Sequence, residues 1–262
     1  MIKKYHPYVL FKFFVNVFKC WRLIGGPLLA YRFLRRNLSP YIGCFSFGGM
    51  RFKGRKEDWV AINEVLIKDE YACIEKILVS FKSPFVLDLG ANIGCFALRV
   101  FKQTPLAEIV SIEAANVTFQ ILKENTQLNS NLNWQSYNLG VWSHDGPVSL
   151  LRKNNAIGHC VIQTGGDDQV NGISLISLMK LIERDSIDLL KIDIEGGEEV
   201  VIPSSVSILK KTRYLIIEVH NDRFDPSEVM SVLSNVYTNM ILLNDRSSKK
   251  PVFVMSNEPL NF

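Results

Sequence analysis

The chain predicts an α/β fold: a doubly wound, mostly parallel sheet with helices on both faces. Three observations predict it. From about residue 57 onward, short apolar runs alternate with helical patterns. One run, Phe85-Val86-Leu87-Asp88-Leu89, passes directly into the glycine-bearing turn Gly90-Ala91-Asn92-Ile93-Gly94 and then a helix start. Two later runs end in carboxylates, at the strand ends where open α/β sheets bind ligands.

Length and composition are consistent with this fold. With 262 residues, 47% hydrophobic and 21% charged, the chain can bury the core of one ordinary domain and still carry an extension. The five cysteines (Cys20, Cys44, Cys73, Cys95, Cys160) form no C-x-x-C pair. Neither a disulfide framework nor a zinc site follows, and a reducing cytoplasm is expected. The net charge of +4 is unevenly placed: residues 1–60 carry +10 and the remainder −6. A basic patch near the site is what nucleic acid would need, so no nucleic-acid partner is expected for the domain.

The elements follow in order. Residues 1–56 read as a basic, aromatic-rich helical extension, and residues 57–262 as the α/β domain. Within the extension, Lys12, Asn16 and Lys19 share one side of a helix over 8–24, with Arg22 at its margin, while Phe11, Phe14, Phe18 and Trp21 lie off that side. Gly25-Gly26-Pro27 ends it, and a shorter piece runs to Arg32, Arg35 and Arg36. The stretch is too short and too charged to span a bilayer. It either packs on the domain or a second subunit, the reading preferred here, or lies in a lipid interface as a peripheral contact through residues 8–36. Oligomeric state is left open.

Residues 57–77 read as one or two helices. Then come strand 85–89, helix 94–103, strand 108–114, helix 117–129 and a strand near 133–141. A polar loop region with Gly158, Gly165 and Gly166 follows. Helix 175–184, strand 187–194, helix 203–210, strand 214–220 and helix 226–236 lead to two closing strands, 239–244 and 251–256, forming an antiparallel hairpin at one edge.

The turn at 88–94 builds a nucleotide pocket, because glycine allows close backbone approach and the helix start offers free N–H groups. A dinucleotide site needs Gly-x-Gly-x-x-Gly, but Asn92 and Cys95 occupy its second and third glycine positions. A compact adenosine ligand, S-adenosylmethionine, fits better. Glu113 closes the next strand at the spacing expected of an acid that accepts from ribose hydroxyls. In the run 187–198, Lys191, Asp193 and Glu195 share one side; in the next strand, so do Glu218 and His220. Buried acids are costly unless paired or used. Three uses compete: holding the amino group and sulfonium of the donor, deprotonating an acceptor hydroxyl, for which His220 has a suitable pKa, or binding a divalent metal. The metal is the weakest, since no tight ligand motif fixes it. A blander alternative is a buried Lys191–acid network with Glu198 at a helix start. His159 could line an acceptor pocket, and Asn116-Val117-Thr118 reads as a helix cap rather than a glycosylation site.

Together these residues resemble the FkbM-type family of S-adenosylmethionine-dependent methyltransferases over about residues 57–220. The resemblance rests on Asp88-Leu89-Gly90-Ala91-Asn92-Ile93-Gly94, Glu113, Asn138-Leu139-Gly140-Val141 and, most specifically, Lys191-Ile192-Asp193-Ile194-Glu195-Gly196, supported by Ile217-Glu218-Val219-His220. Ala114 stands where proline is usual, and Gly140 where alanine is common. The resemblance implies a seven-stranded Rossmann-like methyltransferase fold. It implies that Asp88, Gly90, Ala91, Asn92, Gly94, Glu113, Ala114 and Asn138 bind the cofactor. It also implies O-methylation of a sugar, glycan or polyketide-like hydroxyl, with Asp193, Glu195 or His220 orienting or deprotonating the acceptor. Two rivals remain at this point: an NAD-linked oxidoreductase, and a non-catalytic, membrane-tethered S-adenosylmethionine-binding protein.

Overall fold

The computed structural model describes residues 7–24, 42–152, 159–244 and 248–260. The expected helix break at Gly25-Gly26-Pro27, the piece to Arg36, Gly158 and the side chains of Phe11, Lys12 and Asn16 lie outside the described residues.

Helix α1 (Pro7–Ile24) is followed by a hairpin, β1 (Ile42–Phe47) and β2 (Met50–Arg55). This corrects the helical reading of the extension for residues 42–55. Gly43, Phe45, Met50, Phe52 and Gly54 are buried while their neighbours are not, so the segment alternates with period two and pairs as strands. Phe45 and Phe52 stack across the hairpin at 5.1 Å and join the main core. A short helix α2 (Trp59–Ala61) runs into a π-helical turn over Ile62–Ile67, and α3 (Cys73–Leu78) follows.

The central sheet then assembles: β3 (Phe85–Leu89), α4 (Cys95–Gln103), β4 (Glu108–Ile112), α5 (Asn116–Leu128) and β5 (Asn133–Tyr137). Here the expected single strand over 133–141 divides. Residues 140–142 form β6 (Gly140–Trp142), which leaves for a second sheet with β7 (Gly146–Leu151), β8 (Cys160–Ile162) and β9 (Asp168–Ser174). The expected polar loop is therefore a four-stranded sheet, ordered β6-β9-β7-β8, closed over the small core of Trp142, Val148, Leu150 and Val161. The chain returns through α6 (Leu175–Leu181), β10 (Ile187–Ile192), α7 (Glu198–Ser204), α8 (Val206–Leu209), β11 (Thr212–Glu218), α9 (Ser227–Val236), β12 (Asn239–Leu242) and β13 (Val252–Ser256).

The seven strands lie in the order β12-β13-β11-β10-β3-β4-β5. Strands β3, β4, β5, β10 and β11 are parallel, and β13 inserts antiparallel between β11 and β12. Both faces are covered, which explains the near-continuous apolar runs. Val86, Ile109, Leu189 and Ile216 face α3, α4, α5 and the hairpin, whereas Leu87, Val110, Leu190 and Leu215 face α6 to α9. The order reverses between β3 and β10, whose carboxyl ends open on one crevice.

Candidate active site

A cavity of about 420 Å³ opens there. One wall is backbone. Beyond β3, Gly90 has φ 76°, and a Cβ on it would lie 1.8 Å from the Asp193 carbonyl oxygen, so only glycine lets the two strand ends meet. The Gly90 and Ala91 N–H groups both donate to the Ile112 carbonyl (3.0 and 2.9 Å). Asn92, also left-handed at φ 52°, donates its N–H to Glu113 Oε2 at 2.9 Å. Gly94, φ 93°, opens α4 with Trp134 so near that a Cβ would stand 2.5 Å from its ring. Glu113 thus braces the turn: its second oxygen, Oε1, accepts from the Ala115 N–H at 2.8 Å. Burial pushes its carboxyl up to about 7, against the pull of the Ala115 and Asn92 amides.

Gly90, Ala91, Asn92, Glu113 and Ala114 line this wall; Asp88, Gly94 and Asn138 do not. Asn138 props the wall from behind, donating from Nδ2 to the carbonyls of Glu113 (2.8 Å) and Ala114 (2.9 Å). Asp88 is fully buried beneath the turn. The register of β3 and β10 sets it beside Lys191, whose Nζ lies 3.2 Å from Asp88 Oδ1 and donates to the Gly90 carbonyl at 2.8 Å. Burial raises the Asp88 pKa, and Lys191 offsets part of that rise. Asp88 therefore reaches the cavity through Lys191, which does line it.

The opposite wall is charge. Asp193, Glu195 and Glu218 line it, with Glu70 from the α2–α3 connection and Lys250 from the β12–β13 connection. Glu195 is left-handed at φ 56°, and the turn holding it is clamped by Glu198, which accepts from the N–H groups of Ile194 (3.2 Å) and Gly196 (2.9 Å). Glu195 Oε2 accepts from Arg223 Nη2 (2.7 Å) and Lys250 Nζ (3.0 Å). Burial opposes its ionisation, but His220 and Lys250 hold its pKa down at about 2.

His220 departs from expectation. The alternation that would turn it into the crevice ends with β11 at Glu218. Its ring is fully buried and absent from the cavity lining, with Nδ1 3.0 Å from Glu198 Oε1 and Nε2 3.1 Å from Glu195 Oε2. Burial works against its charge, yet the two carboxylates raise its pKa to about 10. Burial and the neighbouring Asp193 raise the Glu218 carboxyl, and burial with Glu64 raises Glu70. Donor atoms of Asp193, Glu195 and His220 lie within 4.8 Å of one another, a spacing that could hold a metal ion. The cationic Arg223 and Lys250 already on Glu195 Oε2 oppose one.

His159 lines this cavity and, with Ala114, a second polar one of about 650 Å³ beside Arg55, Arg152 and Asn171. Burial and Arg55 lower its pKa. Asn116 is the first residue of α5 rather than its cap, and its Oδ1 accepts from Gln120 Nε2. Lys250, Arg223 and Glu70 were not assigned to the site from sequence. No spacing ties them to the two motifs: Glu70 stands three residues before α3, and Lys250 two before β13.

A profile of the Methyltransferase FkbM domain matches residues 88–238. Methyltransferase sdnD of Sordaria araneosa is 28% identical over 154 residues, covering 46% of this chain and 60% of that protein. Methyltransferase 1 of Beauveria bassiana (strain ARSEF 2860) is 23% identical over 143 residues, covering 45% and 57%. The chain thus spans about 60% of the length of these relatives. Among solved structures, the N-terminal domain of EvdMO1 with SAH bound superposes with a TM-score of 0.50 at 11% identity, covering 83% of this chain and 92% of that one, a likeness of fold.

Proposed function

The chain belongs to the FkbM methyltransferase family, and from that premise we propose that it methylates a hydroxyl of a sugar, glycan or polyketide-like small molecule. S-adenosylmethionine is the cofactor of the family, and the cavity residues fit it. The bare backbone at Gly90 leaves room for close approach, Glu113 offers carboxylate lone pairs to a ribose diol, and the acids across the cavity suit an ammonium and a sulfonium. When bound, the cofactor supplies an electrophilic methyl group.

The chain's own residues do the rest. Gly90, Ala91 and Asn92 form the floor, and Glu113 orients the ribose while keeping the turn in shape. Asp193 lies at the carboxyl end of β10, half-exposed to the cavity, and takes the acceptor proton or orients the hydroxyl. Glu195, set by Glu198, His220, Arg223 and Lys250, holds the acceptor side rigid. Fixing two reactants in line can itself lower a barrier by ~7–11 kcal/mol. The observation that carries this reading is the pairing, across one cavity, of Glu113 with the strand-end acids Asp193, Glu195 and Glu218. We also propose a cytoplasmic location, with which the five free cysteines agree.

Calorimetric titration with S-adenosylmethionine tests the cofactor half. Glu113→Gln is expected to weaken binding about 10–100-fold, the worth of a hydrogen bond to a charged group. Because burial raises the Glu113 carboxyl to about 7, wild-type affinity should rise from pH 6 to pH 8 as the carboxylate forms, and the variant's should rise less, through Glu218. Unchanged affinity in the variant would sink the ribose assignment. Mass spectrometry of glycans from a deletion strain, seeking a species short of one methyl group, tests the acceptor.

A further inference from the structure

Among its described side chains, helix α1 buries one arc on the domain. Cys20 is fully buried, and Val17 and Leu23 pack on the core beside it. At helical spacing, these three occupy one arc of the wheel. The adjoining arc carries Phe14, Phe18 and Trp21, at i, i+4 and i+7, which are 64%, 57% and 42% exposed. Phe18 and Trp21 meet edge to face at 5.9 Å. Beside this stripe lie Lys19 and the exposed Arg22. An open groove of about 830 Å³ continues from it between α1 and the β1–β2 hairpin, lined by Phe14, Phe18, Phe47 and Leu66 and rimmed by Lys19, Arg22 and Lys102.

Three large exposed aromatic side chains in a row are unusual on a water-facing helix, and single scattered ones would need no explanation. The neighbours of this row decide what it meets. No acidic residue lies among residues 1–56, which carry all twelve basic residues of the N-terminal part. A protein partner of mixed surface would not require such a bias, whereas an anionic bilayer would. Aromatic rings favour the headgroup layer, and each adjacent Lys or Arg adds attraction to negatively charged lipid. No helix among the described residues is long and apolar enough to cross a membrane, so the contact lies in the plane of the interface.

We infer that α1 is a membrane-docking element that seats Phe14, Phe18 and Trp21 in the headgroup layer of an anionic bilayer, with Lys19, Arg22 and Lys102 facing its phosphates. Packing and lipid contact are then not alternatives, since different arcs of one helix serve each. The helical segment over 59–67 links the two regions: Val60, Ala61, Glu64 and Val65 line the catalytic cavity, while Leu66 and Ile67 line the α1 groove. An acceptor carried in or on the membrane would thus be presented near the site. The docking itself does not depend on the methyl-transfer reading.

Flotation of the full chain with vesicles tests it. Wild type is expected to float with phosphatidylcholine–phosphatidylglycerol vesicles, weakly with phosphatidylcholine alone, and less at high salt. Removing Lys19 or Arg22 should weaken partition about fivefold per charge. Phe18→Ser with Trp21→Ser should abolish flotation while leaving S-adenosylmethionine affinity unchanged, which shows the domain still folded. Tryptophan emission adds a second readout: Trp59, Trp134 and Trp142 are buried, so a blue shift on adding vesicles reports Trp21. Failure of wild type to float would overturn the proposal. So would a wild-type dimer by light scattering that the double variant dissolves, since a second copy would then cover the stripe.

Discussion

Between β3 and β4 the cavity wall is held by backbone, and beyond β10 and β11 it is held by charge. On the first side, Gly90 and Ala91 hang from one carbonyl, and Glu113 spends both oxygens on amides within three residues of the turn or of itself. On the second side, Glu195 meets His220 and Arg223 from the β11–α9 connection and Lys250 from the β12–β13 connection. The contrast suits the proposed function. Under it, the sterically fixed backbone side would meet a cofactor of fixed shape, and the charged side an acceptor of variable shape, since charge networks can be retuned by single substitutions.

Breaking the backbone wall should have the largest effect. Gly90→Ala places a methyl group against the Asp193 carbonyl in a left-handed residue, so a loss of about 4 kcal/mol or more in denaturant unfolding is expected, with cofactor binding abolished. A variant that folds normally would show that the strand ends can part, and the two walls would no longer be independent.

The charged wall should fail less abruptly and with a pH signature. His220→Ala leaves Glu195 and Glu198 facing each other without the imidazolium between them, for a cost of about 3 kcal/mol. The His220 pKa in the folded protein, about 10, lies above its ordinary value. Its stabilising contribution is therefore full at low pH and lost as pH rises through 10. Wild-type unfolding free energy should fall between pH 8 and pH 10.5, and the variant's should fall less. Glu195, held near 2, has the opposite sign: its contribution is full at neutral pH and lost as pH falls towards 2.

The smallest effect sharpens the comparison. Lys250 is about a third exposed, and Arg223 and His220 remain on Glu195 without it. Lys250→Met is expected to cost under about 1 kcal/mol in stability. It should change acceptor KM or kcat more than S-adenosylmethionine affinity, measured side by side. Equal losses in both would mean that the two walls act as one unit.

Much of this was legible beforehand. The apolar runs at 85–89 and 187–192, the glycine turn and Glu113 are local patterns, because a strand covered on both faces must be apolar and a tight turn beside a second strand must be glycine. The hairpin at 42–55 and the sheet over 140–174 escaped because short, half-buried strands look like loops until a partner strand is known. Asp88, Asn138 and His220 were read as groups facing the ligand. Each instead stands one layer back, under Lys191, behind the Glu113 loop and behind Glu195.

The sequence by itself determined the fold class, the cofactor turn and the acidic strand ends, since periodicity, glycine and buried charge each have a local physical cause. Only the tertiary structure decided which acids face the cavity and which hold the others in place. Those assignments depend on strand register and on cations brought from residues far along the chain. Lys250 meets Glu195 across 55 positions, and no spacing in the sequence encodes that contact.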